Sequence, residues 1–196
     1  MLTHLRRSIV LALFCLVFFG LLYPLVGTGV SQVLFKHQAD GSITPNGSTL
    51  IGQNWTSPKF FHGRPDDFGP YAGVGDNPLV ANGKNGDTGG TNLGPRSEVL
   101  LQNTKELIAY WHKMGVNPTE DLVTTSGSGL DPDITPVDAL AEVPMVSKAT
   151  GLSPKVLDNL IARETNTAEL GFLGSDYIDV LQLNTALAKI EGSKLG

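Results

Sequence analysis

Eighteen consecutive residues, Ile9 to Val26, carry no charge, and thirteen of them are Leu, Ile, Phe or Val. Each such side chain contributes roughly 0.3 to 0.6 kcal/mol to insertion, so the run favours a bilayer by about 5 kcal/mol. Ser8 to Gly27 already supplies the ~20 residues that cross the hydrocarbon core. The pattern therefore predicts an N-terminal segment over 1–7, a transmembrane helix over 8–34 and one domain over 35–196. Arg6 and Arg7 precede the run and the next basic residue is Lys36. Positive-inside asymmetry then sets the N-terminus in the cytoplasm and the domain outside it. A cleaved signal peptide is the competing reading, with Gly27 and Gly29 as its small residues. A signal core is usually 7–15 residues, however, and this run continues unbroken to Tyr23-Pro24.

Helical spacing dominates the second half of the chain. Leu100, Thr104, Leu107, Ile108 and Trp111 share one face, and Gly115 is placed to end that helix in a left-handed turn. Thr135, Pro136 and Asp138 read as the cap, first position and first-turn acid of another helix running to about Ala149. Pro144 within it should bend or break it, because it lacks the N–H of the helical ladder. Ser153-Pro154 opens a third helix with Val156, Leu157, Leu160 and Ile161 on one face, and Val180, Leu183, Leu187 and Ile190 space a fourth. Strand candidates are short: Thr49 to Ile51, and Leu122 to Thr125. Few strands and late helices give an α+β domain behind one N-terminal membrane helix.

Composition divides that domain. Residues 41–96 hold 12 Gly and 6 Pro, a level typical of disorder. Trp55, Phe60, Phe61, Phe68 and Tyr71 nevertheless run through it, so it reads as an ordered, turn-rich segment packed on the later helices. Residues 83–94 have Leu93 as their one apolar side chain and read as an exposed loop. The chain carries −5, and beyond Arg7 there are 12 basic against 19 acidic residues. With no basic cluster, nucleic acid is excluded as a natural partner. Cys15, the sole cysteine, lies within the apolar run, so no intramolecular disulfide is available.

Strings that imitate catalytic motifs weaken on inspection. Asp131-Pro132-Asp133 has the spacing of a phosphatase nucleophile motif, but Ser126-Gly127-Ser128-Gly129-Leu130 precedes it where a buried strand is required. Asp87-Thr88-Gly89 matches an aspartic protease triplet without a second copy. His4, His37, His62 and His112 lack metal-ligand spacing, and His62 reads as a packed or hydrogen-bonded side chain. Catalytic and metal sites are both expected to be absent. The residues singled out as a constrained turn are Ser126, Ser128, Gly129, Leu130 and Asp131, with either an interface or a structural role. A positive φ at Gly129 is one reason such a turn would need that residue.

Five strings remain: Leu50 to Thr56, Phe60 to Pro65, Gly89 to Gly94, Leu122 to Pro136, and Val180 to Asn184. With the single N-terminal span they resemble, in order and over nearly the whole chain, the C subunit of the bacterial Kdp-type potassium-transporting ATPase. The resemblance implies a non-catalytic accessory subunit of a high-affinity potassium uptake complex in the bacterial inner membrane. Its partners would be a potassium-binding channel-like subunit, a P-type ATPase subunit and a small single-span subunit. It would be needed for assembly and would raise the ATPase subunit's apparent ATP affinity, with ATP held in a transient ternary complex. The family carries Gln and an Arg-Val-Ala-x-Ala-Arg stretch where this chain reads Glu142 to Thr150, and Asn where Asp179 stands. Glu142 thus marks a helix linked to nucleotide by resemblance, although its carboxylate would repel phosphate. The alternatives are an anchored or cleaved periplasmic binding module, or a membrane-anchored hydrolase.

Overall fold

The structure is a computed structural model that describes residues 2–65 and 90–192. Phe68, Tyr71, the Asp87-Thr88-Gly89 triplet and most of the 83–94 loop fall outside those residues. The chain divides into two units, one ending at Thr44 and the other beginning at Pro45.

The first unit is a continuous helical rod. Helix α1 (Leu2–Val17) passes through a π-helical turn over Phe18–Leu22 into α2 (Tyr23–Leu34). The π turn ends two residues before Pro24, and the Tyr23 N–H reaches back to the Phe18 carbonyl, one residue beyond the α pattern. Together these 33 residues form, among those described, the one helix long and apolar enough to cross a membrane. The helix starts at Leu2, so it takes in the segment expected to precede it. A single turn, α3 (Lys36–Ala39), and the two-residue strand β1 (Ile43–Thr44) complete the unit.

The second unit begins with β2 (Gly47–Ser48), where a strand over Thr49 to Ile51 was expected. The Ser48 hydroxyl explains the shift: it accepts the Leu50 N–H at 3.1 Å, replacing a ladder partner with a local turn. Helix α4 (Glu98–Lys113) is capped by Ser97 and closed by Gly115 at φ 79°. The expected strand over Leu122 to Thr125 is instead helix α5 (Glu120–Val123). Leu122 and Val123 are both buried, and Glu120 and Asp121 occupy the first turn, which suits a helix and not an alternating strand.

Strand β3 (Asp133–Ile134) pairs antiparallel with β4 (Ile178–Asp179), setting Asp133 opposite Asp179 and Ile134 opposite Ile178. Each strand runs directly into a capped helix. Thr135 caps α6 (Pro136–Thr150) and Asp179 caps α8 (Val180–Glu191) through the Gln182 N–H at 2.8 Å. Helix α6 continues past Pro144 to Thr150 without a break. Pro144 sits on its exposed side, and α6 packs on α7 (Pro154–Glu164). One core unites Phe61, Trp111, Leu122, Ile134, Val146, Leu157, Leu183 and Leu187. Trp55, Phe60 and Phe61 join it, so the described part of the glycine-rich segment that carries them packs on the later helices. Val156 and Ile190, expected on the buried faces, are 38% and 43% exposed. The second unit is thus a mixed α+β domain.

Candidate functional site

The residues from Ser126 to Asp131 form one tight turn, as their small and polar character requires. The Gly129 N–H donates to the Ser126 hydroxyl at 2.9 Å and the Leu130 N–H to the Ser128 hydroxyl at 3.1 Å. Gly129 has φ 69°, a conformation costly to a residue with a Cβ. The turn is closed from the other side by Gly52, whose N–H donates to the Leu130 carbonyl at 2.8 Å. A Cβ on Gly52 would lie 2.6 Å from the Asp131 carbonyl oxygen, so only glycine fits there.

Arg64 organises this turn from a distance of some sixty residues. Its guanidinium donates to the Thr124 hydroxyl at 3.1 Å and the Thr125 carbonyl at 3.2 Å, and pairs with Asp121 at 3.2 Å. Asp131 lies 3.9 Å away. The cavity bounded by Gly52, Arg64, Gly129 and Asp131 has a volume of about 10 Å³, room for about one water. Asp121 accepts the Thr135 N–H, and Asp138 accepts the hydroxyls of Thr119 and Thr135. Burial and the nearby Asp138 raise the Asp121 pKa against the opposing pull of the Thr135 N–H and Arg64.

Glu142 stands apart from that turn. It is fully buried, and its carboxylate accepts the His62 backbone N–H at 3.1 and 3.2 Å and meets the His62 ring Nδ1 at 2.6 Å. The ring packs edge-on against Trp111, with centroids 5.1 Å apart. Burial pushes the Glu142 pKa up, against the pull of His62. One residue earlier, Asn184 of α8 brackets Phe61 with two hydrogen bonds of 2.8 Å, one to its N–H and one to its carbonyl. Side chains from α6 and α8 thus hold the Phe60 to Pro65 string as neighbouring strands would. Glu142 faces the core, so it presents no carboxylate to a phosphate in solvent.

Asp133 has a different environment. Burial comes first, then Asp131 and Asp179, and together they push its pKa up to about 6. Asp131 is a poor partner for the phosphatase reading, because its Oδ1 accepts the Asp133 N–H at 3.1 Å in a local turn. Spacing in the sequence did not reveal Arg64, Gly52 or Asn184 as organisers. Their strings stood out, but their partners lie far along the chain.

The match with known proteins covers almost the whole chain. A family model described as "K+-transporting ATPase, c chain" matches residues 5–189. A Methylobacterium nodulans protein named "Potassium-transporting ATPase KdpC subunit" is 40% identical over 200 residues, spanning 98% of this chain and 100% of its own. Proteins of the same name from Bacillus cereus, 41% identical over 186 residues, and Gloeobacter violaceus, 40% over 175, cover 89% and 86% of this chain and 90% and 86% of their own. At that identity and coverage, the chain belongs to the family of the c chain of K+-transporting ATPases.

Proposed function

We propose that this chain is a non-catalytic accessory subunit of an ATP-driven potassium uptake complex. It is needed to assemble the complex and raises the apparent ATP affinity of a P-type ATPase subunit. The observation that carries the reading is the family match over residues 5–189. Its other partners are a potassium-binding channel-like subunit and a small single-span subunit. The helix over Leu2–Leu34 anchors it in the bacterial inner membrane. Arg6 and Arg7 before that helix favour a cytoplasmic N-terminus and an extracytoplasmic domain.

The site geometry supports a structural and not a chemical use of the polar residues. Arg64, Asp121, Asp138, Glu142 and Asn184 are each engaged in holding backbone or side chains of the domain itself. An extracytoplasmic domain cannot meet cytoplasmic ATP, so the effect on ATP affinity travels through subunit packing. ATP itself stays in a transient ternary complex on the ATPase subunit. The test compares ATP hydrolysis in membranes holding the other subunits with and without this chain. Without it, potassium-stimulated hydrolysis should vanish or need several-fold more ATP for half-saturation, whereas an unchanged ATP curve would overturn the role.

A further inference from the structure

Between α7 and β4 the chain makes a hairpin that the domain does not use for its own core. Asn166 and Tyr177 exchange backbone hydrogen bonds of 2.8 and 3.0 Å, and Glu169 and Leu173 exchange bonds of 3.0 and 2.9 Å. The Asp176 carboxylate accepts the Ala168 N–H at 3.0 Å, bracing the arm between the two pairs. The tip is therefore a defined object and not a slack loop. It carries Leu170, Phe172 and Leu173, which are 82%, 74% and 50% exposed, with Tyr177 at 42% on the arm.

Two features are uneconomical for a surface meant only for water. Leu170 sits at φ 54° and Gly171 at φ 77°. The left-handed region is unfavourable for a residue with a Cβ, and Asn or Gly would adopt it more readily. Large apolar side chains clustered on a protruding tip also expose area that a monomer gains nothing by exposing.

The surroundings of the tip identify what it meets. Residues 165–177 contain Glu169 and Asp176 and no basic residue. Beside the hairpin lies an open cleft of about 770 Å³ whose walls include Asp131, Asp133 and Glu169. Among the described residues Asp133, Glu169 and Asp176 have no ion-pair partner, and Asp131 has only Arg64 at 3.9 Å. Burial first, and then the neighbouring Asp131 and Asp179, raise the Asp133 pKa to about 6, so carboxylates crowd this wall of the cleft. A second copy of this chain would bring the same sign of charge to the same place, and anionic lipid headgroups would be repelled. A protein surface with Lys or Arg is attracted.

We propose that the 166–177 hairpin docks on another subunit of the transport complex, its apolar tip entering a non-polar hollow rimmed by Lys or Arg side chains that reach into the acidic cleft. This rests on the reading of the chain as a complex subunit. The experiment places a photoreactive benzophenone amino acid at position 172 of the tagged full-length chain, within native membranes holding all subunits. Irradiation should yield an adduct with another subunit at a peptide containing Lys or Arg. A companion Leu170→Asn, Phe172→Ser variant should recover about tenfold less of the other subunits. Asn suits the left-handed position, so the thermal midpoint of the purified variant should match that of the parent chain. An intact complex whose adducts are with lipid alone, or with a second copy, overturns the hairpin proposal while leaving subunit membership standing, as does undiminished recovery of the variant. A parent chain recovered with no other subunit contradicts the membership reading itself and removes the hairpin's partner with it.

Discussion

Glu142 and His62 show how one buried carboxylate can replace a missing strand. Removing the carboxylate by Glu142→Ala strands the His62 N–H in the core and opens a cavity, and should cost about 3 kcal/mol. Glu142→Gln keeps an acceptor for that N–H and should cost about 1 kcal/mol. Denaturant unfolding of the chain in detergent checks the pair. Equal losses for the two variants would mean that charge, and not the acceptor, matters there. The sequence marked Glu142 only as a departure from a family pattern, and its buried role depends on His62, eighty residues earlier, which no local spacing could indicate.

Asp133 gives a pH prediction with a definite sign. Its folded pKa of about 6 lies above the ordinary 3.8, so the folded form holds the proton more tightly than the unfolded chain. Its favourable contribution is fully present below about pH 4 and is lost as pH rises through about 6. For a half-exposed group the change is on the order of 1 kcal/mol after solvent screening. Asp133→Asn should remove that part of the pH dependence in thermal unfolding between pH 4 and 7. A slope identical to that of the parent chain would assign it to another group, such as Asp121 or Asp179.

Elements with internal signals were legible from the chain alone. Thr135 before Pro136 announces one helix through its cap and the spacing of Val180, Leu183 and Leu187 announces another, and the structure places both. The two short strand candidates failed because the decisive partner was local: the Ser48 hydroxyl in one case, the acidic first turn of α5 in the other. Pairing of β3 with β4 spans more than forty residues and has no signature in two-residue strands. Gly52 belongs to this scale too, because it lets the 126–131 turn approach the glycine-rich segment. Gly52→Ala must push the Asp131 carbonyl away and should destabilise the domain by roughly 2 kcal/mol, with faster proteolysis at the turn as its readout. Pro144→Ala should do the opposite. It restores a missing N–H on the exposed side of α6 and is expected to raise the thermal midpoint by a few degrees. A lowered midpoint would show that α6 depends on the shape proline imposes.

At the scale of the whole molecule, the chain divides into an apolar helical unit and an acidic α+β domain, two units of different composition. The helix was legible because insertion energy adds along the chain, residue by residue. The domain's turn residues were legible as strings, whereas the hairpin at 166–177 was not, because its exposed Leu170 and Phe172 have no periodicity. Arg64, Asp121, Asp138, Glu142 and Asn184 hold the domain's own backbone and side chains, and the proposed role places the remaining surface against other subunits. The most direct test is affinity purification of the tagged chain from native membranes in mild detergent, with identification of the proteins that accompany it. A P-type ATPase and a large channel-like protein should accompany the chain, with potassium-stimulated ATP hydrolysis in the eluate. A chain that purifies alone from membranes containing both proteins would contradict the proposed role.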